Sequence, residues 1–263
     1  MRPAAPMDPS PAVVELPDGA LSYADTGSGR AVVAVHGIPA TGRDFRWLDA
    51  ALGGRVRFIR LDLPGFGASP VGDRRVETVD EAARVVVEFC DALALDDAVV
   101  LGHSLGGPVA VAAAGQTHRI SAVALVNSAG PKYHRGTFPK TYRAAIWIGD
   151  LHPMGRRAVL AVGKPIARWV GFSKHLRDDE LVRAARINAS YRPRDLERRL
   201  SALDKPVLVA WAEDDPAVER RVSLALLACA REPTDVRFAT GGHNLQSRQA
   251  VELADALVDW AQR

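Results

Sequence analysis

Val99-Val100-Leu101-Gly102-His103-Ser104-Leu105-Gly106-Gly107-Pro108 decides how the chain is read. An apolar, β-branched run stops at Gly-His-Ser-Leu-Gly, and a small-residue segment of helical character follows from Val109 to Ala114. That order is a strand, a very tight turn and a helix. Gly102 and Gly106 flank Ser104 two residues away on either side, the pattern G-x-S-x-G. A nucleophile at the apex of so sharp a turn holds a strained backbone, and its glycine neighbours let strand and helix come close. Pro108 fits a first helical turn, where its missing N–H would have had no partner. By itself the pattern also fits an ordinary turn of any parallel α/β domain, so the context has to decide.

Outward from that stretch, strand and helix patterns alternate. Val13 to Tyr23, broken by Pro17-Asp18-Gly19, reads as two short strands. Ala31 to Val35 is continuously apolar, the mark of a strand covered on both faces, and ends in His36-Gly37-Ile38-Pro39. A helix around Asp44 to Leu52 leads to a strand from Val56 to Leu61, then to a glycine-rich loop, Asp62 to Ser69. Val79, Ala83, Val86, Cys90 and Leu93 recur at helical steps and predict a helix over Thr78 to Leu95. Ile120 to Val126 is another strand. The alternation lapses from Ala129 to Leu203, where several helices and no clear strand are expected, and resumes with a strand from Pro206 to Trp211. A turn at Glu213 to Pro216, a helix over about Val218 to Ala230, a strand from Asp235 to Ala239, a turn at Gly241-Gly242-His243 and a helix from Ala250 to Trp260 complete the chain. Such alternation predicts a mostly parallel, doubly wound sheet with helices on both faces. Reacting groups gather at the carboxyl ends of its strands. His36, Asp62, Ser104, Asp215 and His243 each stand just after a strand.

The 263 residues, 48% hydrophobic and 25% charged, suit an ordinary globular protein. No apolar run approaches the roughly 18 residues that span a membrane. Residues 1–12 read as a disordered Pro/Ala-rich tail without a signal peptide's apolar core, with Met7 a second potential start. Only two cysteines occur, Cys90 and Cys229; Cys90 lies on an apolar helical face and reads as a buried thiol rather than half of a disulfide, and a reducing, cytoplasmic setting is expected. The net charge of +3 is unevenly spread: Lys132 to Arg199 holds sixteen basic and six acidic residues, a net of +10 against −7 for the remainder. That break in composition marks a separate unit.

Taken together, these motifs resemble the α/β-hydrolase fold superfamily from about Val14 to the C-terminus. His36 to Pro39 is similar to its oxyanion loop, Asp62 to Ser69 to its D-x-P-G-x-G-x-S loop, and Gly102 to Gly106 to its nucleophile elbow. Asp215 and Gly242-His243 stand where that family keeps its acid and its histidine, in its chain order of Ser, Asp, His. The resemblance implies an α/β-hydrolase core of residues 13–128 and 204–263 and a helical cap of residues 129–203. Chemistry agrees with it. A serine hydroxyl needs a base near neutral pKa, which His243 supplies, and the imidazole needs a carboxylate to hold its tautomer. Asp215 is the expected acid. Ala212 departs from the glycine usual in the family's G-x-x-D, which leaves Asp214 as the other candidate. Leu105 and Ile38 would give the oxyanion hole by their backbone N–H groups. His36, His103 and the Asp62 loop read as scaffold.

No metal-ligand spacing, phosphate loop or cofactor motif is present in the sequence. The expected function is a serine hydrolase acting on a carboxylic ester, thioester or lactone through an acyl-enzyme on Ser104. The same resemblance admits carbon–carbon bond hydrolases, acyltransferases and cofactor-free haloperoxidases, and a non-catalytic receptor or accessory protein keeping the fold. Haloalkane dehalogenases and epoxide hydrolases are disfavoured, since those relatives carry Asp where Ser104 stands. Cap aromatic residues (Tyr133, Phe138, Tyr142, Trp147, Trp169, Phe172) facing Ser104 would form an acyl pocket. The basic surplus reads first as a solvated arginine face; steering of an anionic substrate and peripheral contact with an anionic membrane are the functional alternatives. Nucleic acid is not expected as a partner, and the oligomeric state is left open.

Overall fold

The computed structural model describes residue 6 and residues 8–72, 76–135, 139–169 and 176–262. Residues 1–5 and 7, half of the expected N-terminal tail, and Phe138 and Phe172 of the inserted segment, lie outside them. Asp8, at the tail's end, forms ion pairs with Arg60 (2.9 Å) and Arg43 (3.2 Å).

One eight-stranded sheet carries the molecule. Its strands are β1 (Ala12–Leu16), β2 (Gly19–Thr26), β3 (Ala31–Val35), β4 (Arg57–Leu61), β5 (Ala98–His103), β6 (Ile120–Val126), β7 (Val207–Ala212) and β8 (Thr234–Phe238). They lie in the order β1-β2-β4-β3-β5-β6-β7-β8. β1 pairs antiparallel with β2, and β2 with β4; every later pairing is parallel. From β3 the chain moves to β4 on one side and to β5 on the other. This reversal opens a crevice beyond the carboxyl ends of β3 and β5.

The apolar runs are buried on both sides because side chains alternate along a strand. Val33, Val35, Val100, Val123 and Val209 face one core layer, shared with α2 (Val79–Ala92) and α3 (Gly106–Ala114). Val32, Ala34, Val99, Leu101 and Ala124 face the other, shared with α1 (Arg46–Leu52) and a C-terminal helix, Ala250–Ala261.

Helix ends fall where local chemistry stops them. The helix expected from Asp44 divides into a 3-10 turn, Gly42–Phe45, capped by the Thr41 side chain, and α1. Thr78 is the cap of α2 rather than its first residue. Its hydroxyl accepts from Glu81 N–H at 3.1 Å, while the Glu81 carboxylate accepts from Thr78 N–H at 2.9 Å, a reciprocal pair. α2 ends at Ala92, short of Leu95, because Ala94 takes a φ of 47° and the Leu95 N–H turns back to Cys90 O.

Among the described residues, four helices stand between β6 and β7: α4 (Pro139–Leu151), α5 (Pro153–Trp169), α6 (Asp178–Ser190) and α7 (Pro193–Ala202). Ile187 of α6 and Leu196 and Leu200 of α7 reach the core layer of α2 and α3. Arg177, the residue before α6, donates to the carbonyl of Gly65 at 3.3 Å, and the Tyr191 hydroxyl donates to the Gly130 carbonyl. After β7 come α8 (Arg220–Cys229), α9 (Leu245–Arg248) and α10 (Ala250–Ala261). The single-turn α9 has no counterpart in the periodicity, being too short to show one.

Candidate active site

Ser104 sits at the end of β5 with a φ of 53°, the left-handed region that costs a non-glycine residue roughly 1–2 kcal/mol. Its neighbours explain how the turn closes. A Cβ on Gly102 would overlap the Gly106 carbonyl and lie 2.6 Å from Gly107 Cα; a Cβ on Gly106 would overlap the carbonyl of Val35 and lie 2.7 Å from that of His36. The spacing of the two glycines is therefore set by backbone meeting backbone. The Ser104 N–H donates to Val126 O (3.2 Å), and its carbonyl accepts from Gly107 N–H (3.1 Å) and Ala129 N–H (3.0 Å). These bonds fix the strained residue from three directions.

Two further strand ends converge on it. His243 lies between β8 and α9, after Gly241 and Gly242. Its Nε2 is 3.0 Å from Ser104 Oγ and its Nδ1 is 2.9 Å from Asp215 Oδ2. The Asp215 side chain is 1% exposed. Its other oxygen, Oδ1, accepts from the N–H groups of Ala217 (2.8 Å) and Val218 (3.0 Å) in the turn after β7. The carboxylate is thus clamped on one oxygen and presents the second to the ring. With Nδ1–H donated to Asp215, Nε2 is left to accept the serine proton.

Asp214 takes a different position. Its Oδ1 accepts from Gly242 N–H at 2.7 Å, a bond that holds its carboxyl below the usual range. It braces the loop that carries His243 and does not meet the imidazole.

A residue that the sequence pattern did not single out completes the brace. Asn127 follows β6 with a φ of 40°. Its Nδ2 donates to the carbonyls of Gly242 (2.6 Å) and His243 (3.0 Å), and its Oδ1 accepts from Ala212 N–H (2.9 Å). One buried amide therefore ties the ends of β6 and β7 to the histidine loop. The signal available in the sequence was a polar, turn-tolerant Asn straight after an apolar run.

The expected scaffold histidines make hydrogen bonds to backbone. His103 Nε2 donates to His243 O at 2.9 Å; burial, and next the charge on His243, push its pKa down to about 3. His36 accepts from Leu63 N–H at Nε2 (3.0 Å) and donates from Nδ1 to Gly37 O (2.8 Å), and its burial lowers its pKa. Asp62 likewise serves its loop, accepting from Gly42 N–H (2.7 Å) and Ala68 N–H (2.9 Å). His134, not weighed from the sequence, lies at the start of the inserted segment. Its Nδ1 donates to Ala217 O at 3.1 Å, and burial followed by the charge on His243 pushes its pKa down to about 4.

The loop after β3 lies against the serine. A Cβ on Gly37 would stand 3.1 Å from both Ser104 Cβ and His103 Nδ1. Ile38 is buried and joined to Pro39 by a cis peptide bond. Leu105 directly precedes α3, so its N–H points from a helix N-terminus, where donors lack helical partners. Among the described residues, the N–H groups of Ile38 and Leu105 donate no hydrogen bond to the protein. No cluster of His, Cys, Asp or Glu suited to a metal ion occurs among the described residues. Of the aromatic residues in the inserted segment, Tyr142 is half-buried and Tyr133 packs edge-on to Tyr191 at 6.3 Å, whereas Trp147 faces solvent.

Comparison with known proteins agrees with this architecture. Residues 32–256 match the model of the alpha/beta hydrolase family. The uncharacterized hydrolase YugF of Bacillus subtilis is 26% identical over 244 residues, covering 87% of this chain and 89% of its own. The putative carbamate hydrolase RutD of Variovorax paradoxus is 30% identical over 233 residues, covering 82% of this chain and 85% of its own. A thermophilic esterase from Thermogutta terrifontis superposes with a TM-score of 0.76 at 22% identity, over 97% of this chain and 98% of the esterase.

Proposed function

The chain belongs to the alpha/beta hydrolase family, and we propose that it is a serine hydrolase of a carboxylic ester, or of a thioester or lactone, acting through an acyl-enzyme on Ser104. One observation carries the reading: the unbroken line from Asp215 to His243 to Ser104, 2.9 and 3.0 Å, ending on a serine held in a strained turn.

In this reading Ser104 Oγ attacks the substrate carbonyl while His243 Nε2 takes its proton. Asp215 holds the ring and stabilises the imidazolium that forms. The developing oxyanion accepts from the N–H groups of Ile38 and Leu105, whose freedom from protein partners supports the assignment; each such donor contributes roughly 10²–10³-fold in rate. His243 then protonates the leaving alkoxide or thiolate. It next activates water, which attacks the acyl carbonyl and frees Ser104 and the acid product. Residues 129–203 act as a cap over a core of residues 13–128 and 204–263. The position of His134, within the field of His243 and bonded to the turn beside Asp215, supports placing the cap at the rim of the site. The substrate is a small, partly apolar molecule. Two free thiols, Cys90 buried with its pKa pushed up to about 12, support a reducing, cytoplasmic setting. No helix among the described residues is long and apolar enough to cross a membrane.

Hydrolysis of p-nitrophenyl esters of increasing chain length tests the proposal and sizes the pocket. Ser104→Ala should lose about 10⁴-fold or more in kcat while keeping its fold. Turnover near the wild-type rate in that variant would sink the reading.

A further inference from the structure

Two consecutive helices turn apolar side chains to water. On α4, Ala144, Trp147, Ile148 and Leu151 recur at the three- and four-residue steps of one helical face, and all are exposed. On α5, Met154, Ala158 and Val162 recur at four-residue steps and are exposed as well. The large members of the two stripes are 41% to 70% exposed. The helices are joined through His152 alone and meet backbone to backbone: a Cβ on Gly155 would overlap the Ile148 carbonyl. The two stripes therefore form one surface. Other side chains do the packing, with Leu160 of α5 buried and Ile146 of α4 half-buried, so the fold does not need the stripes for its own core. A contiguous apolar surface of this kind marks an interaction site.

Its charge says what it meets. Pro139 to Trp169 holds six basic residues and a single acidic one, Asp150. Asp150 is paired with Arg186 and Lys164 with Asp178. Lys140, Arg156 and Arg157 make no ion pair among the described residues. We propose that the α4–α5 face docks on an anionic lipid bilayer, with Trp147, Leu151 and Met154 entering the headgroup boundary and Lys140, four residues before Ala144 on the α4 stripe, and Arg157, beside the α5 stripe, meeting lipid phosphates. A helix with apolar residues on one side and basic residues beside them lies in that interface, and tryptophan favours its depth. A second copy of this chain fits worse, because pairing the face with itself would set two patches of net charge +5 against each other.

Co-sedimentation of the full chain with vesicles tests the proposal without reference to catalysis. The protein should bind vesicles of phosphatidylcholine mixed with phosphatidylglycerol, bind pure phosphatidylcholine far less, and be released by salt. Lys140→Ala/Arg157→Ala should lower the partition coefficient about thirtyfold. Trp147→Ser/Leu151→Ser should lower it on the order of tenfold or more. Val251→Ser, at an exposed apolar residue of α10, should leave it unchanged. All these side chains are exposed, so the thermal unfolding of the variants should match wild type. Absence of binding to anionic vesicles, or undiminished binding by either double variant, overturns the proposal. A dimer that Trp147→Ser/Leu151→Ser dissociates, in a protein that ignores vesicles, would give the face to a second copy instead.

Discussion

Removing the Asn127 amide should cost both stability and catalysis, by separable amounts. In Asn127→Ala the carbonyl of Gly242 and the N–H of Ala212 lose partners, while His243 O keeps the bond from His103 Nε2. Each of the two orphaned buried groups costs about 1–3 kcal/mol, so a loss of about 2–6 kcal/mol in unfolding free energy is expected. The catalytic effect comes from position. His243 must keep Nε2 at 3.0 Å from Ser104 Oγ, and a shift of about 1 Å in a reacting group costs on the order of 10²-fold. Asn127→Asp separates position from packing. It retains the acceptor for Ala212 N–H but turns an oxygen toward two carbonyls. Its carboxyl should therefore favour the protonated form, which can donate again. Its kcat/KM on a p-nitrophenyl ester, divided by the wild-type value at each pH, should rise as pH falls toward the carboxyl's pKa. Asn127→Ala should show no such recovery. Chemical denaturation reports the stability loss independently. An Asn127→Ala enzyme within about threefold of wild type in kcat/KM, or an Asn127→Asp ratio that does not change with pH, would refute the reasoning.

The two neighbouring carboxylates should also separate. Asp215→Asn should reduce kcat on the order of 10⁴-fold, because an amide can stabilise the wrong tautomer of His243; Asp214→Asn, which keeps an acceptor for Gly242 N–H, should stay within about tenfold. Equal losses would mean that the assignment of the acid is wrong. Acid should destabilise the fold through His103. Its folded pKa of about 3 lies below the unfolded value of 6.5, so the unfolded chain binds the extra proton, and stability falls as pH drops through that window. Between pH 7.5 and pH 5 this amounts to about 2 kcal/mol for His103 alone. His134, with its pKa near 4, acts in the same direction. Denaturation midpoints at the two pH values should show the loss, and His103→Gln should lose about 2 kcal/mol less over the same interval.

How much of this was legible depended on how local each feature is. The turn around Ser104 is written in ten consecutive residues, and its glycine spacing follows from backbone collisions within the strand–turn–helix unit and with the end of β3. Asp215 and His243 could be placed because both follow strands of a parallel sheet, which brings distant positions to one edge. The sequence pattern favoured Asp215 over Asp214 but left the second carboxylate open. The choice depends on which carboxylate the turn after β7 aims at the ring, a matter of a single residue's direction. Asn127 was missed because its three partners, Ala212, Gly242 and His243, lie far along the chain, and nothing near it in sequence records them. The boundary of α2 shifted by one residue at its start because a cap and a first helical residue look alike in periodicity. Trp147 read as a candidate for the acyl pocket because composition cannot tell the inner face of a helix from the outer one.

The central claim is an activated serine at position 104. It is tested most directly by incubating the protein with a fluorophosphonate, then mapping the adduct by peptide mass spectrometry in wild type, Ser104→Ala and His243→Ala. The account expects one adduct on Ser104 in wild type, none in Ser104→Ala, and a strongly slowed reaction in His243→Ala. A folded wild-type protein that takes no adduct, or takes one elsewhere, would contradict it and favour a binding protein that keeps the fold without the chemistry.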